Sequence, residues 1–225
     1  MPRIREPKAL ECTWRLERQA YGRGFSRVAG CDEAGRGALI GPIAAAAVIL
    51  DPAKPIVGLN DSKKLPAPRR EQLAAEIFAK ALAFHVIFVS AKEVDDLNVY
   101  HASRTAMIRA LAALNPVPQF ILTDAMRLWS DPRAPEALAP FRFLIHGDAR
   151  SVSIAAASIL AKVARDAHMR ELDKLYPQYN LARNKGYGTP DHLRSLEQFG
   201  ACAEHRTTFR PVGAVSAVRL PLAVL

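Results

Sequence analysis

Short apolar runs alternate along the chain with longer stretches whose apolar positions recur at helical spacing, a pattern that predicts strands and helices in turn. Arg27–Cys31, Ile43–Leu50, Phe84–Ser90, Phe120–Asp124 and Phe141–His146 read as strands. The tetrad Ala44–Ala47 argues against the second of these, since alanine favours helix, but Pro42 and Pro52 bound the run too closely for one. Helices are expected at Pro66–Leu82, from a cap at Asn98 to Leu114, at Ser151–Tyr176 and at Pro190–Phe199, with a shorter one near Leu10–Tyr21. In the long helix Val152, Ala156, Ile159 and Val163 form one apolar stripe. Asp131–Pro140 and Asn180–Thr189 read as loops, the end of the chain as irregular, and no internal repeat appears. Strands alternating with helices point to an α/β or mixed-sheet domain.

Half of the 225 residues are hydrophobic and 24% are charged, which supplies a core and excludes a disordered chain. The longest apolar stretch, Gly37 to Leu50, has 14 residues and contains Gly41 and Pro42, so no membrane span is expected. The first residues lead into no apolar segment of the kind that directs secretion. Cys12, Cys31 and Cys202 lie far apart, forming neither a disulfide framework nor a zinc motif, and fit a reducing cytoplasm. The net charge of +9 attracts polyanions, of which nucleic acid is the commonest; it also fits a protein that is merely soluble.

Candidate chemistry gathers in carboxylates placed where an apolar strand stops or a helix begins: Asp32-Glu33, Asp124 and Asp148. Functional groups in open α/β sheets collect at such ends. Neighbouring strand residues point to opposite faces, so Asp32 and Glu33 share one site only if the chain bends there, as Gly35 permits. Four clustered carboxylates repel one another unless cations lie among them, and hard divalent ions such as Mg²⁺ take oxygen ligands. Acidic residues at strand ends are otherwise solvated or act as caps. Gly35-Arg36-Gly37 exposes backbone to a close ligand, with Arg36 available for phosphate. It is no dinucleotide fingerprint, because Pro42 stands where a helix should begin and Asp32-Glu33 would repel a pyrophosphate. Lys185-Gly186-Tyr187-Gly188-Thr189 offers a tyrosine able to stack on a sugar or base, or an ordinary turn. Asp166 is expected to pair with Lys162 on the same helix. No zinc-hydrolase, serine-elbow or Walker pattern occurs.

Ala29-Gly30-Cys31-Asp32-Glu33-Ala34-Gly35-Arg36-Gly37 followed by Gly41-Pro42-Ile43, and then Asn60-Asp61-Ser62-Lys63-Lys64-Leu65, closely resemble ribonuclease HII, the bacterial type-2 ribonuclease H family. So do Gly147-Asp148-Ala149-Arg150-Ser151, the helix from Ser153 to Asp166, Tyr176-Pro177-Gln178-Tyr179, Lys185 to Thr189, and His205 to Val212, in family order. The resemblance implies a catalytic domain over 27–212 with a helical C-terminal part, a basic extension at 1–26 and a tail at 213–225. It implies an RNase H-like α/β fold, a mixed β-sheet flanked by helices. The implied activity is endonucleolytic hydrolysis of RNA in RNA–DNA hybrids and incision 5′ of ribonucleotides embedded in duplex DNA, leaving 5′-phosphate and 3′-hydroxyl ends.

By the same resemblance Asp32, Glu33, Asp124 and Asp148 are the catalytic carboxylates and hold a divalent metal, Mg²⁺ or Mn²⁺. One ion would orient and deprotonate water while a second stabilises the departing 3′-oxygen. Gly35, Arg36 and Gly37 would read the ribose 2′-hydroxyl, and Tyr187 would pack on the neighbouring sugar. The chain departs from the family at His146, where a lysine is usual, at Ala38, where proline is frequent, and at Asn184, where histidine is common. The histidine at 146 sets a titratable group near a phosphate where a fixed charge is usual. Two other readings stand beside this one: a non-catalytic hybrid-binding module, and an RNase H-like nuclease for DNA junctions. A monomer is the default, and Val218-Arg219-Leu220-Pro221-Leu222 shows no sliding-clamp pattern.

Overall fold

The alanine run that argues for helix lies in the middle of a sheet. The computed structural model describes residues 11–129 and 138–218; most of the loop expected at 131–140, residues 1–10 and the tail from 219 fall outside them. In chain order the elements are α1 (Arg15–Tyr21), β1 (Val28–Ala34), β2 (Ile43–Ile49), α2 (Ala67–Lys80), β3 (Ala83–Val89), α3 (Ala91–Leu97) and α4 (Val99–Ala112). They continue with β4 (Phe120–Asp124), β5 (Phe141–Leu144), α5 (Val152–Leu175), α6 (Leu181–Asn184), α7 (Pro190–Phe199) and α8 (Arg210–Val218).

The sheet order is β3-β2-β1-β4-β5. β1 pairs antiparallel with β2, and β2 with β3, whereas β1–β4 and β4–β5 are parallel, so the sheet is mixed as expected. Every residue of β2 is buried because both faces are covered. Ala45, Ala47 and Ile49 pack with Ala106, Met107 and Ala110 of α4; Ala46 and Val48 pack with Ala156, Ile159 and Leu160 of α5 and with Leu73 and Ile77 of α2. Small side chains let two helices close on one strand, and tertiary burial overrides alanine's helix preference. The approach is tightest at Gly30, where a Cβ would lie 2.0 Å from the Ser153 carbonyl carbon. Only glycine lets α5 rest on β1 there.

β1 does not stop at Cys31. It continues through Asp32, Glu33 and Ala34, held by the pairs Asp32–Ala46, Glu33–Ala45 and Ala34–Ala44, and the bend falls at Gly35 with φ +92°. The described part of the N-terminal segment is packed against the domain. Leu16 and Ala20 of α1 join a cluster with Val28, Phe120, Leu122, Leu144 and Ile154. The C-terminal helices cover residues 39–41: Ile40 packs with Met169, Leu172, Tyr179 and Leu181, and Leu39 with Leu196 and Val212.

Candidate active site

The parallel pairing of β1 with β4 builds the site. Cys31 stands opposite Thr123, so the next residues along both strands are Asp32 and Asp124. Parallel strands end on the same side, and apolar positions pinned on both faces fix this register. Asp148 arrives from a single 3₁₀ turn, Gly147–Ala149, between β5 and α5. Gly147 N–H donates to Asp124 Oδ1 at 2.6 Å, tying that turn to the end of β4. Carboxylate oxygens of Asp32, Asp124 and Asp148 lie within 4.8 Å of one another.

Glu33 is outside that group. On a strand that stays extended it alternates with Asp32, and its carboxylate lies 3.9 Å from the Arg36 guanidinium. It stays electrically part of the site. Burial, opposed by Arg36 and reinforced by Asp124, holds Glu33 up to about 7. Burial together with Glu33 and Asp124 pushes Asp32 well above the usual carboxylate range. Burial raises Asp124 and takes Asp148 to about 6, the latter with Asp124 and Asp61 adding repulsion. These are the shifts of a negative cluster short of positive charge.

Part of that charge comes from the motif Asn60 to Leu65, which the sequence offered as part of the family resemblance but without a role. Burial works to lower Lys63, but Asp32, Asp148, Asp61 and Asp124 together raise it. The Asp61 carboxyl is within hydrogen-bond reach of Asp148, and Asp61 Oδ1 accepts from the Lys63 N–H at 2.9 Å. Ser62 and Ser158 share a 2.9 Å hydrogen bond beneath them. The polar run Asn60 to Lys64 before an apolar helix was the available signal. Asp166 forms the expected ion pair with Lys162 at 2.7 Å and a second contact with Arg70 at 3.5 Å. His146 takes the left-handed conformation, φ 55°, directly before the Asp148 turn.

Gly35-Arg36-Gly37 and Tyr187 are also brought together. Leu39 N–H donates to the Gly186 carbonyl at 2.8 Å, joining the two loops through their backbones. Arg36 and Gly37 are exposed, and Tyr187 is 38% exposed, so both loops present groups to solvent. Tyr187 is anchored from behind: its carbonyl lies 3.0 Å from His192 Nδ1, while His192 Nε2 lies 3.3 Å from His205 Nε2. The Cys202 N–H donates to His205 Nδ1.

The mixed sheet thus carries an aspartate trio, with Asp32 and Asp124 side by side on its parallel strands and Asp148 in the turn that leads into α5. The ribonuclease HII family profile matches residues 29–212. Ribonuclease HII of Solibacter usitatus (strain Ellin6076) is 51% identical over 213 residues, spanning 95% of this chain and 90% of that protein. That of Geobacillus thermodenitrificans (strain NG80-2) is 52% identical over 209 residues, 91% of this chain and 78% of the relative. The ribonuclease H2 structure from Pyrococcus horikoshii OT3 superposes with a TM-score of 0.71 at 28% identity, over 85% of this chain and 98% of that one. The RNase HII of the Archaeoglobus fulgidus PCNA complex shares the fold, with a TM-score of 0.68 at 24% identity over 84% of this chain and 96% of that one. The chain belongs to the ribonuclease HII family. It is a hydrolase of the ribonuclease H type, an endonuclease that cuts RNA.

Proposed function

We propose that the protein cuts the RNA strand of RNA–DNA hybrids and incises duplex DNA on the 5′ side of an embedded ribonucleotide, leaving 5′-phosphate and 3′-hydroxyl ends. The observation that carries this is the convergence of Asp32, Asp124 and Asp148 within 4.8 Å, in a chain whose net charge is +9. An all-oxygen, mutually repelling donor set fits a hard divalent cation, Mg²⁺ or Mn²⁺. Asp32, Asp124 and Asp148 would hold it, with Glu33 at the margin between Asp124 and Arg36. When bound, a pair of such ions supplies activated water and stabilises the departing 3′-oxygen.

The chain's own residues do the rest. Lys63 sets a fixed cation against the carboxylates, where it meets an incoming phosphate. Arg36, 44% exposed at its side chain, offers a second phosphate contact. The exposed backbone of Arg36 and Gly37, turned outward at the buried Gly35, approaches the ribose, whose 2′-hydroxyl distinguishes RNA from DNA. Tyr187 packs its ring on the adjoining sugar. Its substrate makes nucleic acid its partner, and with three scattered cysteines that fit a reducing compartment we place the enzyme in the cytoplasm.

The test is a set of DNA duplexes identical except at one sugar: ribose, deoxyribose or 2′-O-methylribose. The expected result is a single nick 5′ of the ribose, with the other two intact. Equal cutting of the all-DNA duplex would overturn the assignment of Gly35, Arg36, Gly37 and Tyr187.

A further inference from the structure

Arg165 and Arg206 are both 0% exposed, and they are the largest fully buried side chains of the molecule's described part. Their charges face carbonyl oxygens and ring faces. Arg165, on α5, donates from Nε to the Pro42 carbonyl at 3.1 Å, from Nη2 to Ile40 at 3.4 Å and from Nη1 to Lys185 at 2.8 Å. Its guanidinium carbon lies 5.5 Å from the centre of the Tyr187 ring. It also lies against Gly35, where an added Cβ would fall 1.8 Å from Arg165 Nε. Arg206 completes the arrangement: Nη1 donates to the Arg36 carbonyl at 2.9 Å, and Nε and Nη2 donate to Gly41 at 3.0 and 2.8 Å. One planar group thus touches the first glycine of one loop, the backbone of the second and the ring that the second presents. Holding several carbonyls on two segments in one plane requires the guanidinium fork; a lysine ammonium is a point donor. A buried charge is costly to keep, which makes a purely space-filling role for it a poor explanation.

We propose that Arg165 is a positioning residue that sets the spacing between the Gly35-Arg36-Gly37 backbone and the Tyr187 ring, and through it how the enzyme discriminates between a ribonucleotide flanked by DNA and a long RNA–DNA hybrid. This rests on the reading of those two loops given above. Arg165 touches no reacting atom; it acts through Tyr187 and Gly35.

The readout is the ratio of kcat/KM on a duplex with one ribonucleotide to kcat/KM on a long RNA–DNA hybrid. Loss of folded enzyme lowers both values alike and leaves the ratio unmoved. Arg165→Lys, Tyr187→Ala and the double variant are compared with wild type; where an ammonium cannot be buried, Arg165→Gln replaces the lysine. The expected result is a ratio lowered about tenfold by each single variant, with the double variant no lower than either, as for residues acting as one unit. If Tyr187→Ala lowers the ratio while the Arg165 variants reduce both substrates equally, the proposal is overturned and the loop reading stands. If Tyr187→Ala leaves the ratio unchanged, the reading of Tyr187 fails and takes the proposal with it.

Discussion

Asp32 is 5% exposed beside two other aspartates, and its charge is the one that folding has most reason to resist. A carboxyl whose pKa is raised on folding contributes stability below its unfolded value near 4 and loses it as pH climbs through the folded value. Asp148 at about 6 and Glu33 at about 7 place that loss between mildly acidic and neutral pH. Asp32→Asn removes one charge from the set while preserving its shape. In chelator the variant is expected to melt about 2–4 °C above wild type at pH 8, the scale of ~1 kcal/mol in a chain of this size. The gap should narrow towards pH 5, below the values of Asp148 and Glu33, and activity should be lost throughout. Thermal denaturation across that range checks this; a variant less stable than wild type at pH 8 would contradict it. These acids were legible because each isolated carboxylate follows an apolar run. Asp61 and Lys63 were visible as part of a family motif but their place in the site was not, since nothing in a polar pre-helical run says which strand ends it will face. The separation of Glu33 from the trio was hidden too: Gly35 suggested a bend that the ladder with Ala44 to Ala46 postpones until after Ala34.

At the scale of elements, caps and periodicity carried most of the reading. Phe120–Asp124 and Pro190–Phe199 occur within the bounds that their apolar pattern implied, and Asn98 caps α4 by accepting from the N–H groups of Tyr100 and His101. α3 was missed although Ser90 and Glu93 form a reciprocal capping box, because its two turns offer too few apolar positions to show a period. α8 was missed for a different reason: Pro211 and Gly213 read as breakers, while burial of Val212 against Leu39 and Leu196 outweighs them. Helix α1 shows how a segment outside the family match is locked in. Ser151 Oγ–H donates to Glu17 Oε1 at 2.5 Å and Ser153 N–H donates to the same oxygen at 3.0 Å, so a buried acid from α1 caps α5. Burial raises the pKa of Glu17 against the pull of these bonds. Glu17→Gln keeps an acceptor for both donors and is expected to stay within ~1 kcal/mol of wild type in urea unfolding. Glu17→Leu leaves the Ser153 N–H buried without its partner and should cost about 2 kcal/mol. Equal losses in the two variants would contradict the capping role.

For the whole molecule, alternating strands and helices made an α/β class readable, whereas strand order was not: nothing local announces that β1 lies between β2 and β4. That order is what matters for chemistry. Placing β4 beside β1 in parallel sets Asp124 next to Asp32, and α5, seated on Gly30, returns the Asp148 turn to the same edge. The net charge of +9 favours the approach of a polyanion to the molecule as a whole. The family resemblance was specific because its motifs are the segments that this topology gathers.

The central claim is that the Asp32, Asp124 and Asp148 cluster is the catalytic centre, and Asp124→Asn tests it most directly. An end-labelled RNA–DNA hybrid is offered to wild type and variant with Mg²⁺ or Mn²⁺, and cleavage and binding are measured on the same preparation. The account predicts that the variant loses at least about a thousandfold in kcat while hybrid affinity stays within a few-fold, since a group acting on the transition state is removed and the binding loops are untouched. A variant that still cuts at a rate near wild type would contradict it.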